Sequence, residues 1–273
     1  MPRYTITLTA LIVTAVTAPA AAQRKPAASD TSPPSADSLA AISRRGRALA
    51  ELDHAAWLGS DAMESLSLPA DGVRRFIVRR TERGWEVVAG VLSAQRDTLF
   101  IAQLSTPGMQ PDRWAASTFD PPRADTGYFL RAARAIETSL TMFRPAARRP
   151  YVATAVPDEA EPWWWVYVYP APSRAGVWPR GGDMRFRVSA DGRVITENRR
   201  LHQTITEYSA RTARSGSDVT SGGLPLVSGV TPEDTDVFHV LQRRPALPEL
   251  FSAGPFRYRI DVDGTIRLVA VAK

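Results

Sequence analysis

Apolar residues along this chain follow two periods, one helical and one of two, and the change from one to the other divides it into elements. From Asp37 to Pro69, Ile42, Leu49, Leu52, Ala56, Met63 and Leu66 fall close to one face at helical spacing. Asp37 or Ser38 offers a cap at the start, and Pro69 with Asp71-Gly72 ends the helix. Gly46 and Gly59 weaken the pattern, leaving one helix or two. Alternation then takes over. Phe76 and Val78 alternate with polar residues, a turn follows at Glu82 to Gly84, and strands are expected over Trp85 to Leu92 and Thr98 to Leu104. These predict an antiparallel meander, followed by a proline-rich loop from Pro107 to Pro122. A second helix is predicted by the stripe Phe129, Ala133, Ile136, Leu140 and Phe143, capped by Asp125 or Thr126 and stopped by Pro145.

From Tyr151 the period is again two. Strands are expected over Tyr151 to Val156 and Trp163 to Tyr169. An internal repeat follows: Gly182 to Val188 leads to Asp191-Gly192 and Val194, and Gly254 to Ile260 leads to Asp263-Gly264 and Ile266. Each copy is an alternating strand, an Asp-Gly turn and a second strand, a strong hairpin signal. The two copies predict similar hairpins in one curved sheet. A further strand is expected at Val237 to Leu241, and a strand carrying His202 continues the first repeat hairpin. The expected fold is α+β, a mostly antiparallel twisted sheet built from hairpins with two helices packed on one face.

The N-terminus has a different pattern. Arg3 precedes an apolar run from Ile6 to Val16, and Ala20-Ala21-Ala22 forms a small-residue cleavage site. This predicts a signal peptide over residues 1–22, hence a periplasmic or secreted product. The run is short for a membrane span and carries threonines, so no span is expected after cleavage. Residues 23–36, rich in Pro, Ser and Ala, predict a disordered leader. A single domain is expected over residues 37–273, with a long flexible loop near 209–233.

Composition narrows the chemistry. The chain has no cysteine, which removes disulfides, thiolate metal sites and thiol nucleophiles. Lys25 and Lys273 are the only lysines, so Schiff-base and phosphate-loop chemistry lack a carrier. The formal charge of +6 comes from scattered arginines, a pattern that argues against a nucleic-acid partner.

Three histidines remain as candidate chemistry. His54 lies on the first helix beside Asp53. His202 and His239, with Asp236 close by, are candidate catalytic residues if their strands pair. No metal-binding motif accompanies them, so no metal or other cofactor is expected. No nucleophile elbow occurs either. Trp163, Trp165, Tyr167 and Tyr169 fall on one face of their strand, a row of rings suited to a carbohydrate or peptide unless a helix covers it. Arg185 and Arg187 share a strand face in the same way and are candidate ligand contacts.

The stretches Gly181 to Arg185, Arg200-Leu201-His202 and Asp236 to His239 resemble those of uncharacterised exported bacterial proteins, a resemblance that implies no activity. The functional expectation is an exported, non-catalytic binding or interaction protein of the cell envelope, its partner an envelope glycan or envelope protein. The alternative is a hydrolase or metal-dependent enzyme using His202 and His239 with nearby carboxylates.

Overall fold

A helix followed by antiparallel strands occurs three times in chain order. The computed structural model describes residues 32–64, 66, 75–109, 113–209, 220–221 and 229–271. The expected signal peptide, most of the leader and most of the 209–233 loop lie outside these residues. Helix α1 (Ala36–Glu64) precedes β1 (Arg75–Thr81), β2 (Gly84–Leu92), β3 (Leu99–Pro107) and β4 (Trp114–Asp125). Helix α2 (Tyr128–Met142) precedes β5 (Tyr151–Pro157), β6 (Trp163–Pro170), β7 (Val177–Gly181), β8 (Met184–Ser189), β9 (Ile195–Arg200) and β10 (Ile205–Ser209). The short β11 (Thr220–Ser221), helix α3 (Asp234–Gln242), β12 (Glu249–Ala253), β13 (Phe256–Ile260) and β14 (Ile266–Val271) complete the order. The sheets run β1-β2-β3-β4, β5-β6-β8-β9 and β11-β12-β13-β14, with β7 and β10 as a separate pair. All pairings are antiparallel except β11 with β12, which makes the class α+β and mostly antiparallel.

The helices are distributed more widely than the sequence pattern indicates. Successive strand residues point to opposite faces. On β2, Val87 and Ala89 pack with Leu49, Leu52 and Ala55 of α1, while Val88 packs with Phe129, Ala133 and Ile136 of α2. On β6, Trp164, Val166 and Val168 meet the α2 side, and Tyr167 and Tyr169 meet α1 together with Phe238 of α3. The first two sheets are therefore apolar on both faces, with α1 and α2 on opposite sides. A third core joins α1 and α3 to β12, β13 and β14 through Ile42, Val237, Phe251 and Tyr258.

Several elements differ from the sequence reading for identifiable reasons. Helix α1 is continuous, and its glycines are points of close approach. A Cβ at Gly46 would lie 2.5 Å from the Val237 Cβ, and one at Gly59 2.6 Å from the Val87 Cβ. Its start is capped two or three residues earlier than Asp37 or Ser38, by Ser35, whose Oγ accepts the Ser38 N–H at 3.2 Å. Much of the expected 107–122 loop is β4, an edge strand in which proline is tolerated. Its pairing jumps from Ile101↔Arg123 to Gln103↔Thr118, and the prolines sit in that irregularity. The expected strand at Val237 to Leu241 is instead α3, started by a capping box in which the Glu233 N–H donates to Asp236 Oδ2 at 2.8 Å. Helix α2 starts at Tyr128 with Gly127 in the N-cap position, and the carboxylate of Asp125, two residues earlier, accepts the Gly127 and Leu130 N–H groups.

Both repeat hairpins form, with Gly192 at φ +78° and Gly264 at φ +80°. They lie in two different sheets, not one. Each glycine turn presses on a helix. A Cβ on Gly192 would come within 2.4 Å of the Arg131 carbonyl of α2, and one on Gly264 within 3.0 Å of Val237 of α3. The repeat is thus a device for docking a β8–β9 or β13–β14 turn on the helix of its own unit.

Candidate functional site

The aromatic row divides in two. Tyr167 and Tyr169 are buried under the helices, and their hydroxyls are spent internally. Tyr167 donates to Asp234 Oδ2 at 2.8 Å, and Tyr169 to Asp53 Oδ1 at 2.6 Å. Trp163 and Trp165 are half-buried and covered by arginines. Arg187 lies over Trp163 at 4.7 Å, and Arg185 over Trp165 at 4.8 Å. A continuous four-ring platform is therefore not presented, because α1 and α3 cover its second half.

The histidine candidates lie in a buried ionic network around the start of α3. Asp234 accepts from Arg45 at 2.8 Å and from Arg185 at 2.7 Å. Arg180 bridges Asp236, at 2.6 Å, and Glu249, which also binds Arg243 at 2.8 Å. His202 follows the end of β9, beyond the strand expected to carry it. Its Nδ1 bonds Asp183 at 2.8 Å, and its Nε2 lies 3.4 Å from Asp236 Oδ1, an ion-pair separation with poor hydrogen-bond alignment. Burial opposes its charge, but Asp236 and Asp183 outweigh it and raise the imidazolium to about 10. Asp236 is held well below the usual carboxylate range: burial works against its charge, but His202 and Arg180 prevail.

His239 sits on α3 with a different environment. Burial and the cations Arg180 and Arg243 push it well below 6.5, so it is a neutral imidazole, edge-on to Tyr208 at 6.1 Å. The structure thus places His202, Asp236 and His239 in one neighbourhood. It gives His202 two carboxylate partners and leaves it no free basic nitrogen. Among the described residues, no group of three His, Asp or Glu side chains is arranged to hold a metal ion.

A large concave feature lies elsewhere and was not marked by any motif. Strands β1 and β5 are the free edges of their sheets. Between them runs a slot of about 1040 Å³. Arg75 to Val78 line one wall and Tyr151 to Ala155 the other. Helix α1 contributes Ala50, Asp53, His54 and Trp57 on one side, and α2 contributes Ile136 and Leu140 on the opposite side. Two aromatic side chains stand at its mouth, Trp57 at 62% exposure and Phe76 at 42%. Asp53 is the polar centre of the α1 side. It accepts Tyr169 and the Gln242 amide, at 3.0 Å for the latter. Burial pushes its carboxyl up, against the pull of those two bonds.

Ladder geometry orients the two edges. In an antiparallel pair, residues alternate between bonding their partner and pointing away. The Ala171 N–H donates to the Pro150 carbonyl and the Asp158 N–H to the Trp163 carbonyl. With the Tyr151↔Pro170 register, these two bonds mean that Val152, Thr154 and Val156 bond β6. Ala153 and Ala155 then turn their backbone N–H and C=O toward the slot. On β1 the two-residue turn pairs Thr81 with Gly84, which leaves Phe76 and Val78 facing outward. The Tyr128 hydroxyl confirms this by donating to the Val78 carbonyl at 3.2 Å. Among the described residues, the other slot-facing backbone groups of Phe76, Val78, Ala153 and Ala155 have no hydrogen-bond partner.

No family model matches the chain, and no curated protein or solved structure matches it. No helix among the described residues is long and apolar enough to cross a membrane.

Proposed function

We propose that this chain is a non-catalytic binding protein of the cell envelope that takes part of its partner into the slot between β1 and β5. The observation that carries the reading is the slot itself. Its volume of about 1040 Å³ is at the upper end of small-ligand pockets, and its lining is mostly apolar with a few convergent polar groups. The exposed Trp57 and Phe76 at its mouth are the residue types that anchor partners. The envelope assignment rests on the N-terminal export pattern. Binding is favoured over hydrolysis because the buried histidine His202 is clamped by two carboxylates and His239 is buried on the inner face of α3.

The test uses an apolar fluorescent probe, anilinonaphthalene sulfonate, on the folded chain. Saturable binding is expected, weakened about tenfold in the Trp57→Ala/Phe76→Ala double variant. The denaturation midpoint should hardly move, because both side chains are largely exposed. Equal probe binding by the variant and the parent chain would overturn the assignment of the slot.

A further inference from the structure

Resting on the reading of the slot as the binding site, we infer that its occupant is an extended polypeptide segment that adds as a strand between β1 and β5, joining the two four-stranded sheets into one. An apolar ligand would satisfy the slot's side chains but not its backbone. Val78 and Ala155 are buried, at 6% and 7% exposure, yet the Val78 N–H and both main-chain groups of Ala155 turn toward the cavity without a partner among the described residues. Buried peptide groups are almost always paired, and free strand edges are normally covered or charged. Here two of them face one cavity, and neither approaches the other as a paired strand. One added strand offers N–H and C=O groups to both edges at once and at the regular spacing of a ladder, which the isolated amides of a lipid or an N-acetylated glycan do not.

The dimensions agree. A strand within a sheet layer takes up roughly 160 Å³ per residue, from about 4.8 Å between strands, 10 Å of layer thickness and 3.3 Å of rise. A slot of about 1040 Å³ then holds about six residues, close to the seven residues of β1 and of β5. The two sides of the slot also set the chemistry of the occupant. Ile77, Ile136 and Leu140 face one set of alternate side chains, which must be apolar. Asp53 and Gln242 face the other set, which must carry donors, since a carboxylate has acceptor capacity beyond two bonds. The recognised segment is therefore an alternating apolar/polar strand, free of proline at positions that must donate.

The experiment titrates the full chain with a panel of short capped peptides in which Thr alternates with Val, Leu or Phe. Each peptide is paired with a copy N-methylated at alternate residues. At least one unmethylated peptide should bind, and N-methylation should weaken it about tenfold or more. Hydrogen exchange at the Phe76, Val78, Ala153 and Ala155 amides should slow when it binds. Ala153→Pro removes a slot-facing N–H without touching the β5–β6 ladder, and it should weaken the peptide while leaving the naphthalene probe bound. If Ala153→Pro does not fold, the methylated peptides still decide. Probe binding with no peptide binding, or equal binding of methylated and unmethylated peptides, overturns the strand but keeps the slot. Failure of both probe and peptides overturns the slot as well.

Discussion

His202 makes the stability of this chain depend on pH in a direction opposite to ordinary acid denaturation. Its imidazole titrates at about 10 in the folded protein against 6.5 for the free side chain. The folded state therefore binds the proton more tightly, and the resulting stability is complete below about 6.5. It falls away as pH rises through the window to about 10. At about 1.4 kcal/mol per decade of proton concentration, the gap amounts to at most about 5 kcal/mol. Part of that is returned as Asp183 and Asp236 relax onto other donors, so a loss of roughly 2–5 kcal/mol is expected across the window. Glu233 adds to the slope at lower pH, because burial raises its carboxyl to about 8 despite Arg199. The assay is urea unfolding at a series of pH values on the parent chain and on His202→Gln. Gln keeps a donor for Asp183 but cannot titrate, so the variant should be less stable at pH 6, should keep the Glu233 slope up to about 8, and should lose little more between 8 and 10. A parent chain whose stability is flat over that range, or a variant with the same slope, would refute the clamped imidazolium.

Two further substitutions separate local propensity from packing. Gly46→Ala should stabilise an exposed helix by about 1 kcal/mol, but the added Cβ would lie 2.5 Å from Val237 and 2.6 Å from the Asp234 carbonyl. A loss of about 1–3 kcal/mol in urea unfolding is therefore expected, and a gain would mean that α1 and α3 do not cross at this point. Asp125→Ala removes the acceptor for the Gly127 and Leu130 N–H groups at the start of α2. It should cost about 1 kcal/mol in the same assay, and the loss should be largely recovered by Asp125→Asn.

What the sequence discloses here is what side chains encode locally. The α2 stripe and the two Asp-Gly hairpins were legible because period and turn chemistry are properties of a few neighbouring residues. Helix α3 was not, for two reasons. It spans only nine residues, and its short apolar run of Val237, Phe238, Val240 and Leu241 reads as a strand buried on both faces as readily as a turn of helix. The signal that separates them is the Glu233–Asp236 capping box, with carboxylates in place of the more usual Ser or Thr and Glu. The α1 glycines misled in the other direction, since a propensity argument has no term for a helix that must pass close to another. His202 and Asp236 were candidates on the condition that two strands paired; they meet instead through α3, and their meaning depends on partners far along the chain, such as Asp183 and Arg180. The slot was out of reach altogether. It is made by strands at residues 75–81 and 151–157 and by their backbones, which leave no trace in residue type beyond small alanines on β5.

The slot stays open because the same two helices fix both of its walls and hold them apart. Helix α1 spans both edges and is fixed along its length. Arg45 is tied to Asp234 of α3, Arg47 to the Asp263 carbonyl and Thr265, and Gly59 packs against Val87 of the first sheet. On the opposite side, α2 holds β1 through the Tyr128–Val78 bond and the Arg75–Glu137 ion pair, while its apolar stripe grips β5 and β6. For β1 to move one strand spacing toward β5, about 5 Å, it would have to break those polar ties and slide past two packed helices. A gap kept open at that cost in unpaired backbone is pre-organised, so a strand entering it would meet edges already set apart, and most of the ordering cost would fall on the strand.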